Sequence, residues 1–377
     1  MRSDRHTTQA VTSTDARGTS AVTPHAVLAR FREYMVGPSR FMTLLSVFEL
    51  GVVDVLRERP GLTAAELGEQ VGAKADALEQ LLFLLVKEGF IAQDETAGTY
   101  RLDSLADVAE SDLARALAYM NLIKVVALRQ LFYLTESTRT GTVVGLKELY
   151  GADGTLYDAV ADHQDLNDSW LKLMNTVTAN IDPWFFAAID IPPGARVLDV
   201  AGNTGLGAIH TYRHKESPGL RVTTFDLPDK ETKALANFRA EGLEEHLSFI
   251  GGNVFDEIPT GFDVVLIKHF LDMFDKDNVL RILQGANKSL EAGGQIHILV
   301  PVYPEDIKET DNYNVDFFPA FFIGAAMGQG GPQKLSVYQS LLEQAGFKVT
   351  KAITKDAAEI PPDVIPVQAV LSATKIA

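Results

Sequence analysis

The sequence predicts an α/β chain of two domains, a Rossmann-like, mostly parallel sheet wrapped by helices, preceded by an all-α, winged-helix-like domain. Three observations lead there. Strand-like segments at 196–200, 221–226, 247–251, 262–267, 295–300 and 347–352 alternate with helical ones, the rhythm of a doubly wound sheet. Ahead of them runs helical periodicity with a helix, turn, helix and hairpin order. The length of 377 residues suits two domains, at about 100 to 200 residues each.

Residues 1–24 are rich in Ser, Thr, Ala and Arg without apolar periodicity and read as a disordered tail. They lack the apolar run of a secretory signal, and Asp4 and Asp15 argue against a transit peptide. From 27 to 57, Phe41, Leu44, Leu45, Phe48 and Val52 recur at helical spacings. Pro60-Gly61 breaks the chain, and Thr63 with Glu66 makes a capping box for a short helix over 63–71. A longer helix covers 75–88, Gly89 ends it, and segments 90–93 and 99–102 flank a turn at Gly98. Helix continues to about 186 with an interruption at Asp182-Pro183. The change to alternating strands and helices near 191–194 places the boundary at 190, giving a helical domain over 25–189 and a sheet domain over 190–377.

The order of elements at 63–102 resembles a winged helix, a shape that many regulators use on DNA. The charges oppose that use. The helix over 75–88 sets Lys74 and Lys87 against Asp76, Glu79 and Glu88 around an apolar interior, and the whole chain carries 34 basic against 50 acidic side chains, a net charge of -16. Neither is a phosphate-neutralising surface, so nucleic acid is not the expected partner. Burial against a second copy or the sheet domain suits that helix better. With no cysteine there is no disulfide framework, thiolate nucleophile or cysteine-bound metal, which fits a cytoplasmic protein. The longest apolar stretch, 317–328, is shorter than the roughly 20 residues a membrane helix needs, so no membrane partner is expected.

The first strand of the sheet domain ends in Asp199-Val200-Ala201-Gly202-Asn203-Thr204-Gly205-Leu206-Gly207, at the crevice an open parallel sheet offers a ligand. Glycines allow close approach of the backbone, and Asn203 tolerates left-handed conformations. The second strand ends in Asp226, about 20 residues on, where an acid meets ribose hydroxyls; the alternative for Asp226 is a helix cap. The third glycine of a dinucleotide loop is absent. A neutral or cationic adenosine ligand therefore fits better than a dinucleotide.

On five segments the chain resembles class I S-adenosylmethionine (SAM) dependent small-molecule methyltransferases, the O-methyltransferase group with an N-terminal winged-helix dimerisation domain. They are Phe48-Glu49-Leu50-Gly51-Val52-Val53-Asp54-Val55-Leu56, the glycine loop, Phe225-Asp226-Leu227-Pro228, Gly251-Gly252-Asn253-Val254-Phe255, and Leu266-Ile267-Lys268-His269-Phe270-Leu271-Asp272. The resemblance covers essentially everything after the tail. It implies SAM as cofactor, with Asp199, Gly202, Asn203 and Gly205 at the methionine end, Asp226 and Leu227 at ribose and adenine, Asn253, Val254 and Phe255 at adenine, and Lys268 at the mouth of the pocket. It also implies a homodimer and a small-molecule substrate of secondary metabolism.

The departures concern the chemistry. The family's usual Asp is Asn253 here, and its usual glycines are Ala201 and Asn203. The family's catalytic histidine falls on Asp272, the acid that orients it on Val300, and a further glutamate near Pro332. Asp272 is the expected catalytic residue. A phenol with pKa about 10 and a carboxylate near 4 are poorly matched unless burial raises the carboxyl, so a carbon or nitrogen acceptor is expected in place of a phenol. The plain alternative for Asp272 is a capping or surface acid.

His269 precedes Asp272 by three residues; two ligands do not complete a metal site, and no metal is expected. His297, in an apolar strand, reads as structural. The aromatic run 317–322 with Met327 and the glycines that follow falls where a substrate lid is built, so Trp170, Met174, Asn175, His269, Met273, Phe318, Phe322 and Met327 are the candidate substrate contacts. Two rival readings follow. One keeps SAM as substrate, closing a small ring on itself with release of methylthioadenosine; the other is a ligand-binding winged-helix regulator.

Overall fold

The computed structural model describes residues 23–308, 312–355, 359–364 and 366–376, with two short paired strands, β1 (Ser13–Thr14) and β2 (Ser20–Ala21). The expected tail over 1–24 otherwise lies outside the described residues, except that Thr23 caps a helix opening at Pro24. The chain divides into two compact units, one ending at Ala114 and one beginning at Arg115.

In the first unit the periodic segment forms two helices, Pro24–Glu49 and Val52–Glu58, parted at Gly51, whose φ of 79° only glycine adopts without strain. Thr63 and Glu66 close the expected capping box at the start of Ala64–Val71, and Ala75–Lys87 follows. The expected hairpin, β4 (Ile91–Asp94) and β5 (Thr99–Leu102), gains a third strand, β3 (Leu62–Thr63), in the order β3-β5-β4. The unit expected to be all-α is thus helical with one small sheet. Val47, Leu56, Leu67, Leu78, Leu82, Leu85 and Ile91 form its core. Leu28, Phe31, Tyr34 and Met35 on the first helix stay exposed.

In the second unit the sheet runs β12-β13-β10-β9-β6-β7-β8. Its strands are β6 (Arg196–Val200), β7 (Arg221–Asp226), β8 (Leu247–Gly251), β9 (Phe262–Lys268), β10 (Leu290–Tyr303), β12 (Phe347–Thr354) and β13 (Gln368–Lys375), with a short β11 (Gln333–Lys334) beside the end of β10. Strands β6 to β10 are mutually parallel, and β13 runs antiparallel between β10 and β12. Sequence patterning had missed β13. Its run of small and apolar residues is buried along almost its whole length, so no alternation marks it.

Two expectations are corrected here. The change of pattern near 190 marks where the sheet begins, whereas the compact unit already starts at Arg115, because the helices between pack on the sheet and on the 318–326 segment. Pro183 does not interrupt the chain: Gln164–Ala188 is one helix with Pro183 inside it. The proline removes one backbone hydrogen bond, and buried Asp182 beside it is held by two side chains described below. Among the described residues no single helix is long and apolar enough to cross a membrane.

Replacing Thr63 with Ala should destabilise the first unit by about 1 kcal/mol, the usual cost of a lost N-cap. A urea midpoint unchanged from the parent protein would contradict the role of that capping box.

Candidate active site

The carboxyl edge of the parallel strands gathers the site. Strand β6 delivers Asp199, which is 1% exposed and has no hydrogen-bond partner at Oδ2. Burial pushes its carboxyl up to about 6, against the pull of the Lys268 cation. A Cβ at Gly202 or at Gly207 would meet Asp199 Oδ2 at 2.5 Å, so both glycines are needed for the loop to close over that oxygen. Gly205, φ 81°, caps the helix Leu206–Lys215, and a Cβ there would stand 2.3 Å from the Phe238 ring. Ala201 and Asn203 also adopt left-handed φ, 58° and 49°. They keep the backbone path of the glycines they replace, at the cost of local strain.

Asp226 ties the loop to the second strand. Its Oδ2 accepts from Asn203 N–H and its Oδ1 from Leu227 N–H, each at 2.7 Å. Burial raises its pKa despite those two donors. Asn253 Oδ1 accepts from Phe255 N–H at 2.9 Å and shapes the turn after β8. Phe255 packs edge-on against Phe274, and Phe274 against Phe270. Val254 joins the same apolar cluster.

Lys268, expected at the mouth of the pocket, is held by Asp182. Asp199 pairs with Leu266 across β6 and β9, and Lys268, two residues on, shares that face. Its Nζ lies 3.1 Å from both oxygens of Asp182 and over the rings of Phe185 and Phe186. His210 Nδ1 completes the group at 2.7 Å from Asp182 Oδ2. Burial works to raise the Asp182 pKa, but the His210 hydrogen bond and the Lys268 cation outweigh it and leave the pKa lowered. Sequence separation hid Asp182 and His210, and neither was singled out beforehand.

Asp272 sits in the turn Leu271–Met273 after β9, 7% exposed, with Oδ1 sealed from solvent and unpartnered. Burial pushes its carboxyl up to about 7. This excludes the plain reading of a capping or surface acid. Tyr157, Tyr303 and Tyr338 are its electrostatic neighbours, and burial raises all three phenols first, with the Asp272 charge adding to it. Gly331 N–H donates to the Asp272 carbonyl at 2.9 Å, fastening the glycine turn to this residue. Tyr157 and Tyr303 escaped sequence reasoning, Tyr303 because the expected strand stopped at 300 whereas β10 runs on to it.

Of the candidate substrate contacts, Trp170, Met273, Phe318, Phe322 and Met327 come together in one apolar cluster with Tyr303. Trp170 meets Tyr157 edge to face, centroids 5.3 Å apart. Met174 is half-buried and Asn175 exposed, and neither joins that cluster. His269 directly follows β9 with a left-handed φ of 51°, and its Nε2 is buried without a partner. His297 is structural: Nδ1 pairs with Ser372 Oγ at 2.8 Å and Nε2 with the Asp190 carbonyl at 3.0 Å. Among the described residues no three metal-ligating side chains converge.

Comparison with known proteins bears on this geometry. The family model for the O-methyltransferase domain matches residues 132–348, and that for the O-methyltransferase dimerisation domain matches 33–112. A 3-amino-4-hydroxybenzoate 4-O-methyltransferase of Streptomyces cremeus is 25% identical over 338 residues, covering 88% of each chain. An L-tyrosine C(3)-methyltransferase of Streptomyces lavendulae is 23% identical over 317 residues, covering 83% of this chain and 85% of its own. The crystal structure of the S-adenosylmethionine-dependent methyltransferase SibL in its apo form shares the fold, with a TM-score of 0.74 at 24% identity over 93% of this chain and 100% of that one.

Gly205→Ala should collapse the loop, because a methyl group at 2.3 Å from Phe238 and a φ of 81° both oppose it. A loss of about 1–3 kcal/mol in unfolding free energy is expected. Wild-type stability in a denaturant titration would refute the fit described for this loop.

Proposed function

Because the chain belongs to the O-methyltransferase family, we propose that it methylates a hydroxylated aromatic small molecule, using SAM as donor and Asp272 to take the acceptor's proton. The observation that carries this reading is Asp272 itself, buried at the carboxyl edge with one unpartnered oxygen. A general base works best when its pKa lies near the working pH, and burial has moved this carboxyl to about 7. A carboxyl near 4 would be a poor match for a phenol, and burial narrows that gap. Methylation at the phenolic oxygen is the first reading. Methylation at the ring carbon beside it is the second, favoured by the L-tyrosine C(3)-methyltransferase among the relatives; it needs the same deprotonation, followed by loss of the ring-carbon proton to solvent to restore the aromatic ring. No observation favours a nitrogen acceptor.

SAM supplies a methyl group on a sulfonium, which leaves as the thioether S-adenosylhomocysteine when the acceptor attacks in line. The chain's part is to bind, align and deprotonate. Asp199, with an oxygen sealed under the glycine loop and unpartnered, fits the donor's ammonium; Gly202, Asn203 and Gly205 give it a close backbone. Asp226 has a free lone pair on each oxygen for ribose hydroxyls, with Leu227, Asn253, Val254 and Phe255 around the adenine. Lys268 is committed to Asp182 and is left out of the cofactor contacts. Trp170, Phe318, Phe322, Met273 and Met327 exclude water and hold the acceptor ring, while Asp272 accepts its proton. Alignment of the two reactants then supplies most of the rate. The exposed apolar face of the first helix and the dimerisation-domain match over 33–112 support a homodimer, and sedimentation as a monomer at micromolar concentration would remove that part.

The decisive assay incubates the protein with SAM and a panel of phenols and follows S-adenosylhomocysteine. Release of methylthioadenosine from SAM alone, with no phenol methylated, would establish the ring-closing rival instead.

Asp272→Asn should lower kcat by about a hundredfold or more, the scale of a lost general base. The same variant should be more stable than the parent at pH 8. The Asp272 carboxyl is raised from 3.8 to about 7, so its burial penalty is absent below pH 4, grows as pH rises to 7 and is full above it. Equal melting temperatures at pH 8 would contradict that burial. In the parent, kcat/KM should fall about tenfold per pH unit below 7, with Tyr157, Tyr303 and Tyr338, the groups facing Asp272, remaining neutral throughout.

SAM affinity should weaken as pH drops below about 6, where Asp199 takes up a proton and loses its attraction for the ammonium. The other charged groups around it are Lys268, Asp182, Asp226 and His210. Calorimetry giving a flat affinity from pH 7 to 5 would reject Asp199 as the ammonium partner.

A further inference from the structure

A backbone N–H or carbonyl buried at the end of a strand pair must find a partner. Strands β10 and β13 pair antiparallel as far as Pro301 with Gln368. One step on, Val302 N–H donates to the Val367 carbonyl at 3.1 Å, and a side chain stands in for the return bond. Asn314 Nδ2 donates to the Val302 carbonyl at 2.6 Å and to the Val367 carbonyl at 3.0 Å, while its Oδ1 accepts from Val367 N–H at 3.0 Å. The residue is wholly buried. A side-chain amide carries both donors and an acceptor, so asparagine closes this gap where an aspartate would set its lone pairs against two carbonyls. Behind it, Asn312 Oδ1 accepts from Asn314 N–H at 3.1 Å.

Asn314 is also the first residue of the helix Asn314–Phe321, which runs into the π-helical turn Phe322–Ala326 and then the glycines at 328, 330 and 331. From this segment Phe318, Phe321 and Phe322 join the apolar cluster that contains Trp170, Met273 and Tyr303. Its far end is fastened at Asp272. Gly331 N–H donates to the Asp272 carbonyl at 2.9 Å, and a Cβ at Gly330 would clash with the Met273 carbonyl. The segment is thus anchored to the sheet at its start and to the Asp272 turn at its end, with the aromatic rings between. The donor loop follows β6, two strands away from β10 in the sheet, so this anchor and the SAM contacts are separate.

Resting on the reading that Asp272 and these rings face the acceptor, we propose that Asn314 is a positioning residue of the reaction, whose amide holds the segment 314–331 closed over Asp272 and keeps water from its carboxyl. Asn314 touches neither reactant. It acts through the rings and through the dryness of the base, since burial is what raises the Asp272 carboxyl to about 7.

Urea unfolding of the full chain between pH 5 and 9 tests this with the parent, Asp272→Asn, Asn314→Ala and the double variant. In the parent background the folding constant gained by Asp272→Asn should grow about tenfold per pH unit and level off near pH 7, because a raised carboxyl costs stability only as it ionises. Tyr157, Tyr303 and Tyr338, the titratable groups facing Asp272, stay neutral over this range. In the Asn314→Ala background the gain should level off about one pH unit lower or more and be roughly tenfold smaller at pH 8. A defect that left Asp272 dry would lower stability at every pH and leave the gain intact. Calorimetry with S-adenosylhomocysteine, expected within about twofold of the parent affinity, shows that the variant is folded. Asn312→Ala removes one hydrogen bond behind the amide and should reduce the gain by less, which keeps the test open if Asn314→Ala does not fold. A gain that is the same with and without the Asn314 amide overturns the proposal. A parent in which Asp272→Asn gains nothing overturns it together with the burial of Asp272. No acceptor enters these measurements, so the phenol assay decides the base reading separately.

Discussion

Buried carboxyl groups, and what stands opposite each of them, govern the second unit. Asp182 has Lys268 at 3.1 Å and His210 at 2.7 Å, and its pKa is lowered. Asp199 and Asp272 are as deeply buried, each with an oxygen lacking a protein partner, and both are pushed up, to about 6 and about 7. Removing an ionised carboxylate from water without a counter-charge is expensive, and the group responds by holding its proton more tightly. The paired acid can therefore serve structure. The unpaired ones are sites where a ligand gains by supplying what the protein withholds.

Asp182, Lys268 and His210 also join three elements. The helix Gln164–Ala188 brings Asp182 and Trp170, β9 brings Lys268 and leads to Asp272, and Leu206–Lys215 brings His210 behind the glycine loop. One ion-paired cluster thus ties together two helices and the end of β9. A buried pair of this kind adds little net stability compared with an apolar core, although removing one partner is costly. Its contribution here is to position.

Strain is confined to the same edge. The non-glycine residues with left-handed φ among the described residues are Ala201, Asn203 and His269. Two lie in the glycine loop after β6 and the third directly follows β9. Burial moves the Asp272 carboxyl up to about 7, a range that an imidazole reaches without help.

Local chemistry made much of this readable in advance. The Thr63 capping box, the break at Gly51, the hairpin around Gly98, the parallel strands and the acids at the ends of β6 and β7 all follow from turn residues and periodicity, which act over a few neighbours. The position of Asp272 was readable too. What the sequence by itself could not determine was its pKa, because that depends on how deeply the tertiary structure buries the carboxyl. The same holds for the pairing of Lys268 with Asp182, for Pro183 inside a continuous helix, and for β13, whose largely buried run shows no alternation. Hydrogen-bonding pattern and side-chain period are written locally, whereas desolvation and ion pairing are set by whatever the tertiary structure packs around a group.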